Sequence, residues 1–291
     1  MFNVTCESIC DLTYDYLQSR NCPVLFYTYS IDGEEFEDNM GRDENALAVL
    51  YEALKTKRPT TSQINTEKYA DFFREQLQKG DVLHLTFSSG LTQSISNCYK
   101  AAEEVRREFP SRKLVVVDSL SGGGGLGLII EHALDMRDNG ATLEEIATWV
   151  EQNKLNAQHY FFTTDLSYLR RSGRVSGPAM LIGNLLHLCP LMRVTSSGRI
   201  VAYNKTITAR KAIAKLVEEM GNVALDGYNY NGTLFLEHSN CLQTALQTKQ
   251  AIQAAFPNLT DIRLVDIGTI LACHCGPNPV ALFFWGNGRF N

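Results

Sequence analysis

The sequence is short of positive charge: 27 Lys and Arg stand against 32 Asp and Glu, a formal net charge of −5. A chain of this balance has no basic footprint for nucleic acid or for an anionic membrane surface, so neither is expected as a partner. It also lacks a long apolar run. The greasiest stretch, Met180 to Met192, is broken by Gly183, Asn184, His187 and Pro190 and falls short of the roughly 20 residues that span a bilayer. The first residues, Met1-Phe2-Asn3-Val4-Thr5-Cys6-Glu7, have no basic n-region, and Glu7 and Asp11 sit where a signal peptide would be apolar. A cytoplasmic protein without stable membrane insertion is therefore expected. The eight cysteines form no dense, regular framework, and in that compartment they are reduced thiols.

Several catalytic and cofactor signatures are missing as well. Gly122-Gly123-Gly124-Gly125 falls between a strand-like and a helix-like segment, but no Lys-Ser or Lys-Thr follows it, so it is not a Walker loop. No well-spaced G-x-G-x-x-G carries an acid about 20 positions on, as a dinucleotide site needs. The four glycines read as a flexible turn. There is no G-x-S-x-G elbow. In Cys273-His274-Cys275, taken as extended, His274 would point away from both neighbours, which prevents the three from converging on zinc. No cofactor and no metal are expected.

What is there is an alternation of short apolar runs and amphipathic stretches. Val24 to Ser30, Asp81 to Phe87 and Lys113 to Val117 read as strands. Asp43 to Lys57, a helix capped by Thr66 and stopped at Gly80, Leu91 to Phe109 and Gly127 to Asn139 read as helices, and Thr142-Leu143-Glu144-Glu145 as a capping box. Beyond Tyr160 the texture changes. Leu191 to Ile207 reads as a hairpin turning at Ser196-Ser197-Gly198; Leu234 to Glu237, Ile262 to Ile267 and Val280 to Trp285 read as strands, with helices over Thr208 to Met220 and Asn240 to Phe256. At 291 residues two domains are expected: an amino-terminal α/β domain with a parallel sheet, residues 1–156, and a smaller α+β domain with a mainly antiparallel sheet, residues 157–291.

Three polar clusters stand out. Thr60, Thr61 and Ser62 follow Pro59 and form either a helix-capping loop or a hydroxyl site. Ser88-Ser89-Gly90 ends a parallel strand ahead of a helix, the place where open α/β sheets bind ligands and where anions are attracted. His274 is the third. Gathered together, these segments would suit the two oxygens of one anion. Arg170, Arg171 and Arg174 are either a solvated cluster or, if the turn at Ser172-Gly173 aims Arg174 inward, support for that anion. Met180, Leu181, Ile182, Leu185, Leu186 and Leu188 have helical spacing, which fits a core and a lipid-lined channel equally. An enzyme with Ser89 as nucleophile and His274 as base is the alternative, although spacing marks no acid as their third member.

Taken in order, Val4 through Leu12, Pro59-Thr60-Thr61-Ser62-Gln63, Ser88-Ser89-Gly90-Leu91, Val117-Asp118-Ser119, Leu169 through Gly177 and His274-Cys275-Gly276-Pro277 resemble the bacterial DegV family. The resemblance implies a non-catalytic carrier that holds one long-chain fatty acid between its two domains. It implies that a separate fatty acid kinase phosphorylates the carboxylate for phospholipid synthesis. It places head-group binding on Thr60 to Ser62 and on Ser88 and Ser89, with Thr61 and Ser89 foremost, on His274, and on Arg174 as support; the second domain supplies the apolar lining. The chain departs from the family in reading Leu91-Thr92-Gln93-Ser94-Ile95 after the serine pair. It departs again at Ile207, where an arginine is usual, leaving Lys205, Arg210 and Lys211 as the nearby charges.

Overall fold

A computed structural model of the chain describes residues 2–176 and 188–290 and divides it into two units, Met1–Lys154 with Gly268–Ile270 and Leu155–Ile267 with Leu271–Asn291. In the first unit the order is β1 (Phe2–Glu7), α1 (Tyr14–Ser19), β2 (Val24–Leu25), β3 (Thr28–Ile31), β4 (Glu34–Glu37), α2 (Ala46–Thr56), β5 (Thr60–Ser62), α3 (Thr66–Lys79), β6 (Asp81–Thr86), α4 (Ser94–Glu108), β7 (Leu114–Asp118), α5 (Gly124–Asp138) and α6 (Leu143–Asn153). A parallel sheet runs β2-β1-β6-β7, with Val4 beside Leu83 and Leu83 beside Val115. Every residue from Val82 to Thr86 is buried, as expected of a central parallel strand covered on both faces. Helix α3 turns Tyr69, Phe73 and Leu77 inward and packs on α4.

The second unit continues with β8 (Ala157–Phe162), α7 (Ser167–Ser172), β9 (Val175–Ser176), β10 (Cys189–Val194), β11 (Ile200–Thr206), α8 (Ala209–Val223), β12 (Leu234–His238), α9 (Leu242–Ala255), β13 (Ile262–Asp266), α10 (Thr269–Cys275, whose first two residues belong to the first unit) and β14 (Val280–Trp285). Its strands form one sheet, β13-β12-β14-β8-β10-β11-β9. Pairings β10–β11, β10–β8, β12–β14 and β14–β8 are antiparallel, and β11–β9 and β12–β13 are parallel. The fold class is thus the expected α/β one, a parallel-sheet unit followed by one whose sheet is mainly antiparallel.

Side chains alternate across this sheet as the pleat requires. Tyr160, Phe162, Leu282 and Phe284 face one way and form a core with Leu216 and Met220 of α8 and Ile252 of α9. Phe161 faces the other way. There Leu166, Leu169, Val175, Met192, Ile267 and Cys275 make a second, smaller cluster. Leu191 and Met192 serve opposite faces by the same alternation, and the register shift between their pairs falls on β11, where Tyr203 is the extra residue.

Several local expectations are corrected. The helix after Ser62 is capped by Asn65, whose Oδ1 accepts from Lys68 N at 2.8 Å, and not by Thr66; Asn65 has the extended backbone of a cap, whereas Thr66 is already the first residue of the helix. Thr60-Thr61-Ser62 is neither a capping loop nor irregular. It is strand β5, paired with β3 in a three-stranded antiparallel sheet β4-β3-β5, and Val24 to Ser30 is broken into two strands to allow this. Gly124 and Gly125 open α5 instead of forming a turn; burial along the whole amino-terminal part of α5 overrides their poor helix propensity. Cys273-His274-Cys275 is helical, so the argument from an extended segment fails. Among the described residues no group of three or more His, Cys, Asp or Glu could hold a metal ion. Of the helical spacing read from Met180 to Leu188, all but Leu188 lies outside the described residues, and Leu188 is in neither helix nor strand.

Candidate functional site

In the first unit the hydroxyl segments are tied together by backbone and side-chain hydrogen bonds. Strand β6 ends at Thr86, and the chain turns at once. Ser88 is fully buried: its N–H donates to Ser121 O at 2.9 Å, and its carbonyl accepts from Leu91 N and Thr92 N at 3.0 and 3.1 Å. Its Oγ accepts from Gly90 N at 3.1 Å, which makes Ser88 the turn's internal brace. Ser89 is half-buried, with its N–H donating to Asp118 Oδ1 at 3.2 Å. At the far end of the turn, Ser94 Oγ accepts from Thr92 Oγ1 at 3.0 Å and from Ile64 N at 3.3 Å, while Asn97 Nδ2 donates to Ile64 O at 2.9 Å. The serine turn is thereby linked to the exit of β5. Within β5 the pleat turns Thr61 inward and leaves Thr60 and Ser62 exposed.

Beneath this turn lies a residue to which the sequence reading gave no role. Glu7, 1% exposed, accepts from Phe87 N at 2.8 Å, from Tyr27 Oη at 3.2 Å and from Tyr69 Oη. His84 Nε2 lies 3.7 Å away, and the other ring nitrogen meets Thr5 Oγ1 at 2.9 Å. Burial, and then the Glu7 charge, hold both tyrosine hydroxyls well above their ordinary range, so they stay protonated as donors. The available signal was an acid directly after the buried run Val4-Thr5-Cys6, where a solvated charge is out of place.

A second buried acid belongs to the same unit. Asp38 is buried and accepts from Thr269 Oγ1 at 2.7 Å, and burial raises its carboxyl above the usual range. Asp11 Oδ1 accepts from Gly268 N at 3.0 Å. Together they fix the first residues of the segment that becomes α10.

In the second unit the structure brings Arg174 and His274 together. Helix α7 closes on Gly173 in the left-handed conformation, φ 71°, a cost-free geometry for glycine, and the turn half-buries Arg174. Its Nη1 donates to Ser172 O. Burial pushes His274 from the ordinary 6.5 down to about 4, and the positive charge of Arg174 pushes it the same way. The turn after α10 is equally constrained. A Cβ on Gly276, φ 65°, would stand 2.3 Å from the Tyr168 ring, and Ser239 Oγ donates to Gly276 O at 2.6 Å. Arg171 lies over the Tyr168 ring at 4.6 Å and Arg170 is exposed, so of the three arginines Arg174 is the one acting on His274. Cys275 and Leu271 of α10 join the smaller apolar cluster with Leu169 and Val175.

A neutral imidazole with a guanidinium close by and an apolar cluster on the same helix suits an anion with a greasy tail. The causes acting on His274 are burial and Arg174, both opposed to protonation.

A family model described as "Uncharacterised protein, DegV family" matches residues 1–287. A DegV domain-containing protein of Clostridium perfringens is 29% identical over 289 residues, covering 99% of this chain and 98% of the relative. Among solved structures, a fatty-acid-binding DegV family protein from Thermus thermophilus superposes with a TM-score of 0.85 at 22% identity, over 98% of this chain and 99% of that one. A DegV family protein from Eubacterium eligens loaded with heptadecanoic acid gives 0.83 at 20% identity, over 99% and 100%. These likenesses establish the fold.

Proposed function

From the premise that this chain belongs to the DegV family, we propose that it is a non-catalytic carrier of one long-chain fatty acid. Thr61 and Ser89, with Thr60, Ser62 and Ser88 around them, and His274 with Arg174 in support, take the carboxylate. A separate kinase then phosphorylates that carboxylate to an acyl phosphate in the cytoplasm, supplying phospholipid synthesis. The observation that carries this reading is the pairing of a buried, neutral His274 with the Arg174 cation on a helix that also contributes to an apolar cluster. Solved family members that bind fatty acids lend it further support.

The energetics divide the work between tail and head. About 14 buried methylenes at about 0.8 kcal/mol each amount to on the order of 11 kcal/mol before association costs. Each charge-assisted hydrogen bond to the head adds about 1.5 to 3 kcal/mol. Affinity thus follows the tail, and the head groups fix orientation. Titration of delipidated protein with palmitate in a calorimeter tests this: one site per chain is expected. Failure to bind palmitate and oleate rejects the carrier.

Exposed Lys205, Arg210 and Lys211, around the exposed Ile207 that stands where the family usually has an arginine, are the proposed docking groups for the kinase, because basic groups complement an anionic nucleotide site.

A further inference from the structure

Strand β1 ends in a carboxylate enclosed by protein. Its three donors are not scattered. Phe87 N–H, held by Glu7 Oε2 at 2.8 Å, is the first amide past β6 and immediately precedes Ser88 and Ser89. Tyr27, which donates to the same oxygen at 3.2 Å, also engages the Ser94 and Thr92 hydroxyls, at the other end of the serine turn. Ser94 Oγ in turn accepts Ile64 N–H at 3.3 Å, two residues beyond Ser62. Tyr69, on α3, holds Oε1. One side chain thus anchors the entrance of the serine turn directly and its exit through Tyr27, and by way of Ser94 it reaches the exit of β5.

A buried carboxylate is costly unless its lone pairs are met, and an apolar residue at position 7 would leave the Phe87 amide and two tyrosine hydroxyls without an acceptor. We propose that Glu7 is the positioning residue of the head-group hydroxyls: it sets the placement of Ser88, Ser89 and the β5 exit, and so controls recognition of the ligand's carboxylate without touching the ligand. The inference rests on the fatty-acid reading.

The test compares palmitate with methyl palmitate, which has the same tail and no anionic head, on wild type, Glu7→Gln, Glu7→Ala and Tyr27→Phe, each at a temperature well below its own unfolding midpoint. Glu7→Ala is expected to weaken palmitate by about tenfold, the worth of roughly one hydrogen bond to a charged group, with the ester unchanged. Glu7→Gln keeps an acceptor for Phe87 N–H and Tyr27, and its amide can donate to the Tyr69 oxygen, so most of the acid-over-ester preference is restored. Tyr27→Phe lowers the preference part-way and serves if Glu7→Ala does not fold.

An unchanged preference in Tyr27→Phe and in any folded Glu7→Ala overturns the inference, as does a parallel loss for acid and ester, which a purely structural residue would produce. Those results leave the carrier reading standing when wild type still prefers the acid. Wild type that binds neither ligand removes both.

Discussion

The sharpest consequence of the site concerns the titration of His274. Without ligand, burial and the Arg174 charge hold this imidazole at about 4 against an ordinary 6.5. Above pH 6.5 it is neutral in folded and unfolded chains alike and costs nothing. Between pH 6.5 and 4 the unfolded chain takes up a proton that the folded chain refuses, so stability falls as the pH falls. Below about pH 4 the full penalty is on the order of 3 kcal/mol. A fatty-acid carboxylate bound at His274 reverses this, because an opposite charge within about 4 to 6 Å raises a titration midpoint by roughly 1 to 3 pH units. The loaded protein should therefore titrate His274 between about pH 5 and 7 and lose part of its acid sensitivity. Imidazole nitrogen shifts followed by NMR from pH 3.5 to 8, with and without saturating palmitate, measure both midpoints. A midpoint that stays near 4, or moves down, in protein shown to hold palmitate would refute the placement of the head at His274.

Three further outcomes are expected. Arg174→Ala removes the cation that holds His274 down, so the ligand-free His274 midpoint should rise in the same NMR titration, while palmitate affinity drops by about tenfold through loss of one charged contact. Phe162, fully buried in the larger core of the second unit, should cost about 3 to 5 kcal/mol on replacement by Ala, read by urea unfolding; a loss below 1 kcal/mol would contradict the packing. Arg210→Ala should reduce acyl-phosphate production in a reconstituted assay with the cognate kinase and leave bound lipid unchanged, and loss of lipid in that variant would remove the docking assignment.

The parts of the fold that were legible are those where local pattern and tertiary packing agree. The capping box at Thr142 is present, with Thr142 Oγ1 accepting from Glu145 N and the Glu145 side chain returning to Thr142 N, because both partners lie within one turn. The hairpin turns where Ser196-Ser197-Gly198 allow it, between β10 and β11. The sheet β4-β3-β5 was not legible. Its strands are three or four residues long and β5 pairs with β3 across more than 25 residues of sequence, too short for a period of two to show and too distant for turn chemistry to announce. Helix α10 was hidden for the same reason: seven residues containing Cys-His-Cys give no 3.6-residue pattern, and its start is fixed by Asp38, far upstream. Glu7 was missed because its partners come from α3, from the segment before β3 and from the end of β6, and no spacing in the sequence joins them.

The central claim is that the protein carries a long-chain fatty acid. Native mass spectrometry of the protein purified from a bacterial host, without added lipid, tests it most directly, with the adduct identified after denaturing extraction. The account predicts one long-chain fatty acid per chain, because a carrier's apolar lining is costly to leave empty. A chain that emerges lipid-free and takes up neither palmitate nor oleate when these are supplied would contradict it.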